Sequence, residues 1–81
     1  MSDSPYLDIQ ADLVPGFTEL LGHDAKCGTS DTGVFFAVGD REIRDLLDRY
    51  RRNGGFGSLS PRQWLEALGV DPQRLDALKA D

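Results

Sequence analysis

The sequence predicts an α+β domain: a short antiparallel sheet of two or three strands from the N-terminal half, packed against three C-terminal helices. Three observations carry this expectation. Apolar and polar residues alternate through "LDIQADL" (residues 7–13), the period of a half-buried strand. "GVFFAVG" (33–39) is a five-residue apolar run closed by glycine at both ends, with two β-branched valines that favour a pleated backbone. From Asp40 onward, apolar residues recur at the three-and-four spacing of buried helix faces.

Residues 1–5 read as a frayed end and residues 6–81 as one domain. For residues 7–13 a helix is the rival to a strand, because Ile9, Leu13 and Phe17 fall four apart. Such a helix would enclose Pro15, which removes a backbone hydrogen bond and clashes with the preceding turn. A strand instead turns Leu7, Ile9, Ala11 and Leu13 toward the core and Asp8, Gln10 and Asp12 away from it. Pro15 then suits the first turn of a short helix, "PGFTELLG", in which Phe17, Leu20 and Leu21 share a face. "KCGTSDTG" supplies turn chemistry for a hairpin, with a weaker strand around Ala25 to Gly28 leading into 33–39.

Asp40 suits a helix N-cap, and Ile43, Leu46, Leu47 and Tyr50 form the buried face of the helix it starts. Asn53 and Gly54 end that helix. Two more starts follow eleven residues apart. At the first, Ser60 caps, Pro61 fills the first turn and Gln63 completes a capping box, with Leu59 able to staple onto Trp64. At the second, Asp71 caps, Pro72 follows, and Val70 can staple onto Leu75. Gly69 stops the helix between them.

Composition bounds the function. Hydrophobic content of 40% with seven aromatics supplies one small core, above the range of disordered chains. A domain this short buries only about 60–65% of its extended-chain surface, so a stability of about 3–5 kcal/mol is expected. The single cysteine, Cys27, rules out an internal disulfide. "MSDSPYLD" has neither the basic nor the apolar part of a leader, and the longest apolar run, Val34 to Val38, falls far short of a membrane span. A soluble cytoplasmic protein, with no membrane partner, is expected. Charge divides unevenly: residues 1–40 carry seven acids against Lys26, a net of −6, whereas residues 41–81 carry seven acids and eight bases, a net of +1. Such a field disfavours bare nucleic acid and favours basic partners.

"RYRRNGGFGSLSPRQW" (49–64) is the most basic, glycine-rich stretch. It is not a phosphate-binding P-loop, because the glycine spacing is wrong and no Lys–Ser/Thr pair follows. With its flanking helices it resembles an EF-hand in outline, Gly57 standing at the turning glycine and Leu59 two residues later. The ligand positions, however, fall on Arg52, Gly54, Phe56 and Gln63, and calcium requires carboxylates that this loop lacks. The arginines of the preceding helix sit four residues from acids: Arg41–Asp45, Arg44–Asp48, Asp45–Arg49 and Asp48–Arg52. That spacing predicts an ion-paired, solvated face, with Arg51, Arg52 and Arg62 the least neutralised.

Residues 61–79 resemble a helix-turn-helix, Gly69 standing at the turn and Trp64, Leu68, Val70, Leu75 and Leu78 at apolar positions. Leu65 stands where that motif takes a small residue, and the second helix begins with Asp71 and carries Asp76 and Asp81 beside Arg74 and Lys79, a poor set for reading bases. A DNA-binding regulator is the alternative this resemblance implies. His23, Asp24, Cys27 and Asp31 alone gather catalytic or metal-binding types, but too few soft donors for zinc and no evident cleft for a nucleophile. No catalytic residue, metal or cofactor is therefore expected.

The leading expectation is a small, acidic, non-enzymatic protein that regulates or inhibits a larger protein with a basic surface. A nucleic-acid-binding machine would be one such partner, and a phage or mobile-element origin fits the profile. Asp8, Asp12, Glu19, Asp24 and Asp31 would supply the charge for docking, and Tyr6 and Phe56 the aromatic anchors. A chain this small could also enlarge its core by forming a homodimer.

Overall fold

The computed structural model describes residues 5–79. Residues 1–4, most of the expected frayed end, and residues 80–81 lie outside it. Pro5 is fixed: its carbonyl accepts a hydrogen bond from the Val38 N–H at 2.9 Å. The order of elements is β1 (Tyr6–Gln10), a 3-10 turn (Ala11–Leu13), α1 (Val14–Leu21), a second 3-10 turn (His23–Ala25), β2 (Lys26–Thr29), β3 (Gly33–Ala37), α2 (Arg41–Arg52), α3 (Pro61–Ala67) and α4 (Pro72–Ala77). This is the expected α+β architecture, with a three-stranded antiparallel sheet from the N-terminal half and helices at the C-terminal end.

The strand with the clearest apolar run, β3, is central, hydrogen-bonded to β1 on one side and β2 on the other. Its register with β1 pairs Leu7 with Phe36 and Ile9 with Val34, so these side chains share the face turned to the core. Gly33 lies opposite Gln10, and a Cβ there would land on the Ile9 carbonyl, so the register closes only around a glycine. β2 is short, and its pairing with β3 slips between Lys26 and Gly28. That bulge blunts an edge otherwise open to strand addition.

The strand expected over residues 7–13 stops at Gln10. Leu7 and Ile9 are buried as the alternation requires, but at Ala11 the chain turns into 3-10 helix, leaving Ala11 and Asp12 exposed and Leu13 only half-buried. The reason is local: α1 begins at Val14 with Pro15 in its first turn, so the direction of the chain must change just before it. Asp12 is thus not in line with Asp8 and Gln10 as the period suggested.

Phe17, Leu20 and Leu21 of α1 and Ile43, Leu47 and Tyr50 of α2 share one core with the sheet, which Trp64 and Leu65 of α3 and Leu75 of α4 complete. Every expected cap is present. Asp40 accepts from Ile43 N at 3.2 Å, Asp71 from Gln73 N at 2.9 Å, and Ser60 and Gln63 form a reciprocal capping box at 3.2 and 3.0 Å. Each cap contributes about 1 kcal/mol to its helix.

The expected Asp48–Arg52 pair forms, whereas other arginines depart from expectation. Arg44 belongs to no solvated face: it is 8% exposed, and its guanidinium donates to the Val38 carbonyl at 3.0 Å. Asp48 pairs with Arg51 (2.7 Å) as well as Arg52 (2.9 Å). Arg62 reaches Asp76 at 2.7 Å, tying α3 to α4. Arg74 holds Asp40 at 2.9 Å and Glu42 at 2.6 Å, tying α4 to the start of α2. The three arginines expected to be least neutralised, Arg51, Arg52 and Arg62, are therefore all paired. Arg51 and Arg52 share Asp48 along one helix, whereas spacing along a helix does not anticipate the acid that α4 offers Arg62.

Two measurements check this account. Gly33→Ala should lower the stability read from urea denaturation by more than about 2 kcal/mol, whereas Gly39→Ala, whose Cβ meets nothing within 4 Å, should stay within about 0.5 kcal/mol. Hydrogen bonds from Arg74 hold the Asp40 carboxyl below its ordinary value of 3.8, reinforced by the Ile43 N–H and opposed by burial. A carboxyl depressed in the folded state stabilises above its unfolded value, and that stability is lost as pH falls through the lower folded one. Acid titration of the wild type should therefore show stability declining below about pH 4, with a shallower decline in Asp40→Asn.

Candidate functional site

The helices cover one face of the sheet. The other carries Tyr6, Asp8 and Gln10 from β1 and Phe35 and Ala37 from β3, with Cys27 in the bulge of β2. Register explains the set: Asp8 pairs with Phe35 and Tyr6 with Ala37, placing all four on the side opposite Leu7 and Phe36. Tyr6, Asp8, Cys27, Phe35 and Arg51 line an open groove of about 460 Å³. Tyr6 is 52% exposed, the largest exposed aromatic surface among the described residues, and Phe35 is half-buried.

The polar groups around the groove are fixed. Asp8 accepts from the Ser30 hydroxyl at 2.7 Å, and that hydroxyl accepts from Gly33 N at 3.0 Å, so the carboxylate also braces the β2–β3 turn. Gln10 donates through Nε2 to the Arg51 carbonyl at 3.1 Å, drawing the C-terminal end of α2 to the sheet. The Arg51 side chain is oriented by Asp48, to which its Nε donates at 2.8 Å. The Cys27 thiol lies 3.5 Å from the Phe35 carbonyl, within reach to donate to it.

The residues expected to bind a partner divide into four groups. Ala11 N donates to the Thr32 carbonyl at 2.9 Å, which brings the neighbouring Asp12 and Asp31 to one end of the sheet, beyond Asp8 and Ser30. Asp24 lies toward the other end, where it and Tyr6 line a depression of about 310 Å³ with Leu21, Val38, Leu78 and Lys79. Glu19 is exposed on α1, whose buried side faces the sheet from within, so it does not join this surface.

Phe56, expected as an anchor at the loop tip, is half-buried and packs against the core. It stacks on Trp64 at 4.8 Å between centroids with planes 5° apart, and touches Tyr50 at 5.7 Å. The loop that presents it is a structural joint. Gly54, Gly55 and Gly57 take positive φ, Phe56 and Leu59 form a β-bridge, and the Tyr50 hydroxyl donates to the Leu59 carbonyl at 2.6 Å. Burial pushes the Tyr50 phenol above its ordinary 10.0. Of the groove residues, Phe35 has no place in the sequence reading, and Cys27 and Arg51 enter it in other roles, in a His–Asp–Cys group and among the least neutralised arginines. The apolar run of β3 hid which of Phe35 and Phe36 faces outward, although the alternation of β1 implied the answer through its register.

The other arrangements contribute little. His23 and Asp24 sit in the turn before β2 and Asp31 in the turn after it, so the strand separates them. Among the described residues, no three His, Cys, Asp or Glu side chains converge as a metal site requires. In the helix-turn-helix-like segment Leu65 is fully buried, and Arg62 and Arg74 are held by carboxylates rather than free for phosphate. No described helix is long and apolar enough to cross a membrane. Comparison with known proteins adds nothing: no family model, curated protein or solved structure matches this chain.

The contrast between the two aromatics is measurable. Phe56→Ala should lower stability by about 2–3 kcal/mol in urea denaturation, because it opens a stacked cluster. Tyr6→Ser should cost less than about 1 kcal/mol, because half of that side chain already meets water.

Proposed function

We propose that this chain is a non-enzymatic binding protein that docks a larger protein through the open face of its sheet, regulating or inhibiting it. The observation that carries this reading is the groove itself: an exposed tyrosine beside a half-buried phenylalanine, on rigid strands, with Asp8 between them and further acids at one end. Interface hot spots are enriched in aromatics held in this way, since a rigid ring buries area at little entropic cost. Asp8, Asp12 and Asp31 supply negative potential along one approach, and with the net charge of −5 they favour a basic surface on the partner. No chemistry is needed for this role, and the side chains around the groove are engaged in bracing the fold rather than activating a nucleophile.

Affinity capture from host lysate with three baits tests the proposal. The wild type should retain a stoichiometric protein, Tyr6→Ser with Phe35→Ser should lose it, and Glu19→Lys, off the face, should keep it. Once the partner is purified, Asp12→Lys with Asp31→Lys should slow association about tenfold at low salt, and the difference should shrink as salt is added. Capture that is indifferent to Tyr6 and Phe35 would overturn the assignment of the face.

A further inference from the structure

A second surface lies away from the sheet, where α2 meets the α3–α4 turn. Glu42, Leu46 and Arg49 stand along one stripe of α2, and Leu68, Gly69, Val70 and Asp71 face them across an open groove of about 570 Å³. Its apolar part is substantial for so small a protein: Leu68 is 51% exposed, and Leu46 and Val70 are half-buried. A Cβ built on Gly69 meets nothing within 4 Å, so backbone there is open to close approach.

The charges along the stripe are arranged acid, leucine, base. Arg49 is exposed and forms no ion pair among the described residues, unlike Arg51, Arg52, Arg62 and Arg74. Glu42 does pair with Arg74, but its side chain remains 69% exposed, and Arg74 is also held by both oxygens of Asp40. Glu42 can therefore accept a second cation without leaving Arg74 unneutralised. An acid–leucine–base stripe is complementary to itself when reversed. Two such helices laid antiparallel about a two-fold axis through Leu46 bring each Arg49 opposite the other copy's Glu42, with Leu46, Leu68 and Val70 in the centre.

We infer that this groove is a self-association surface and that its occupant is a second copy of the same chain. The pairing is isologous, so it closes at two copies and leaves both open sheet faces available. The net charge of −5 on each copy opposes the approach, so the association is weak and rests on the two local pairs and the leucines.

Sedimentation velocity of the full chain, run from about 10 μM to about 1 mM, tests this, since a small interface falls in that affinity range. The mass of the wild type should rise from 8.9 kDa toward twice that value. Arg49→Glu and Leu68→Asp should each weaken association at least about tenfold. The double exchange Glu42→Arg with Arg49→Glu restores opposite charges across the axis and should recover the dimer. Far-UV circular dichroism establishes that each variant is folded, with Leu68→Ser in reserve should Leu68→Asp unfold. A wild type that stays monomeric throughout, or a dimer indifferent to both single changes, overturns the inference.

Discussion

Tyr50 is the contact on which the rest of this structure depends. Its ring meets Phe17 of α1 at 5.7 Å, Phe56 of the loop at 5.7 Å and Trp64 of α3 at 5.5 Å, while its hydroxyl donates to the Leu59 carbonyl. Phe17 in turn meets Phe36 of the central strand at 6.1 Å. One side chain thus joins sheet, loop and helices through ring contacts worth about 0.5–1.5 kcal/mol each beyond the area they bury. A domain this size has room for few such junctions, so concentrating them is an economical route to one packed arrangement. The buried hydroxyl adds direction, because a phenol that must find an acceptor fixes the ring and the loop together.

Much of the fold was legible in the sequence because its signals are local. The caps at Asp40, Ser60 and Asp71 depend on side chains reaching two or three residues along the chain, and each formed as its motif implies. The period of two in β1 and the apolar run of β3 identified the strands, and Pro15 decided between helix and strand. What the sequence did not disclose lies in contacts between distant segments. The pairing of Arg74 with Asp40 and Glu42 joins elements more than thirty residues apart, and no spacing rule along one helix anticipates it. Arg44 looked like a surface residue because charge predicts exposure, yet a carbonyl left at the end of β3 gave it a buried partner.

The open sheet face shows the same division. Asp8 was visible as an outward residue of an alternating strand and Tyr6 as an aromatic outside the core pattern, and β1 holds both on one side. Phe35 was not, because a continuous apolar run carries no mark of which side faces solvent. Phe56 is half-buried: a phenylalanine among glycines reads as a loop tip, and here the loop folds back and lays the ring on Trp64.

The position of α4 has a consequence for how evenly this stability is distributed. The helix spans six residues, Leu75 is its one fully buried side chain, and its other ties are arginine–carboxylate pairs partly open to water. Exposed pairs of this kind weaken with salt, whereas the sheet and α1–α3 are held by interlocked rings. The C-terminal turn is therefore joined to the body in two ways, through Leu75 in the common core and through pairs open to water. Ionic strength and acidity act on the second of these and leave the first untouched.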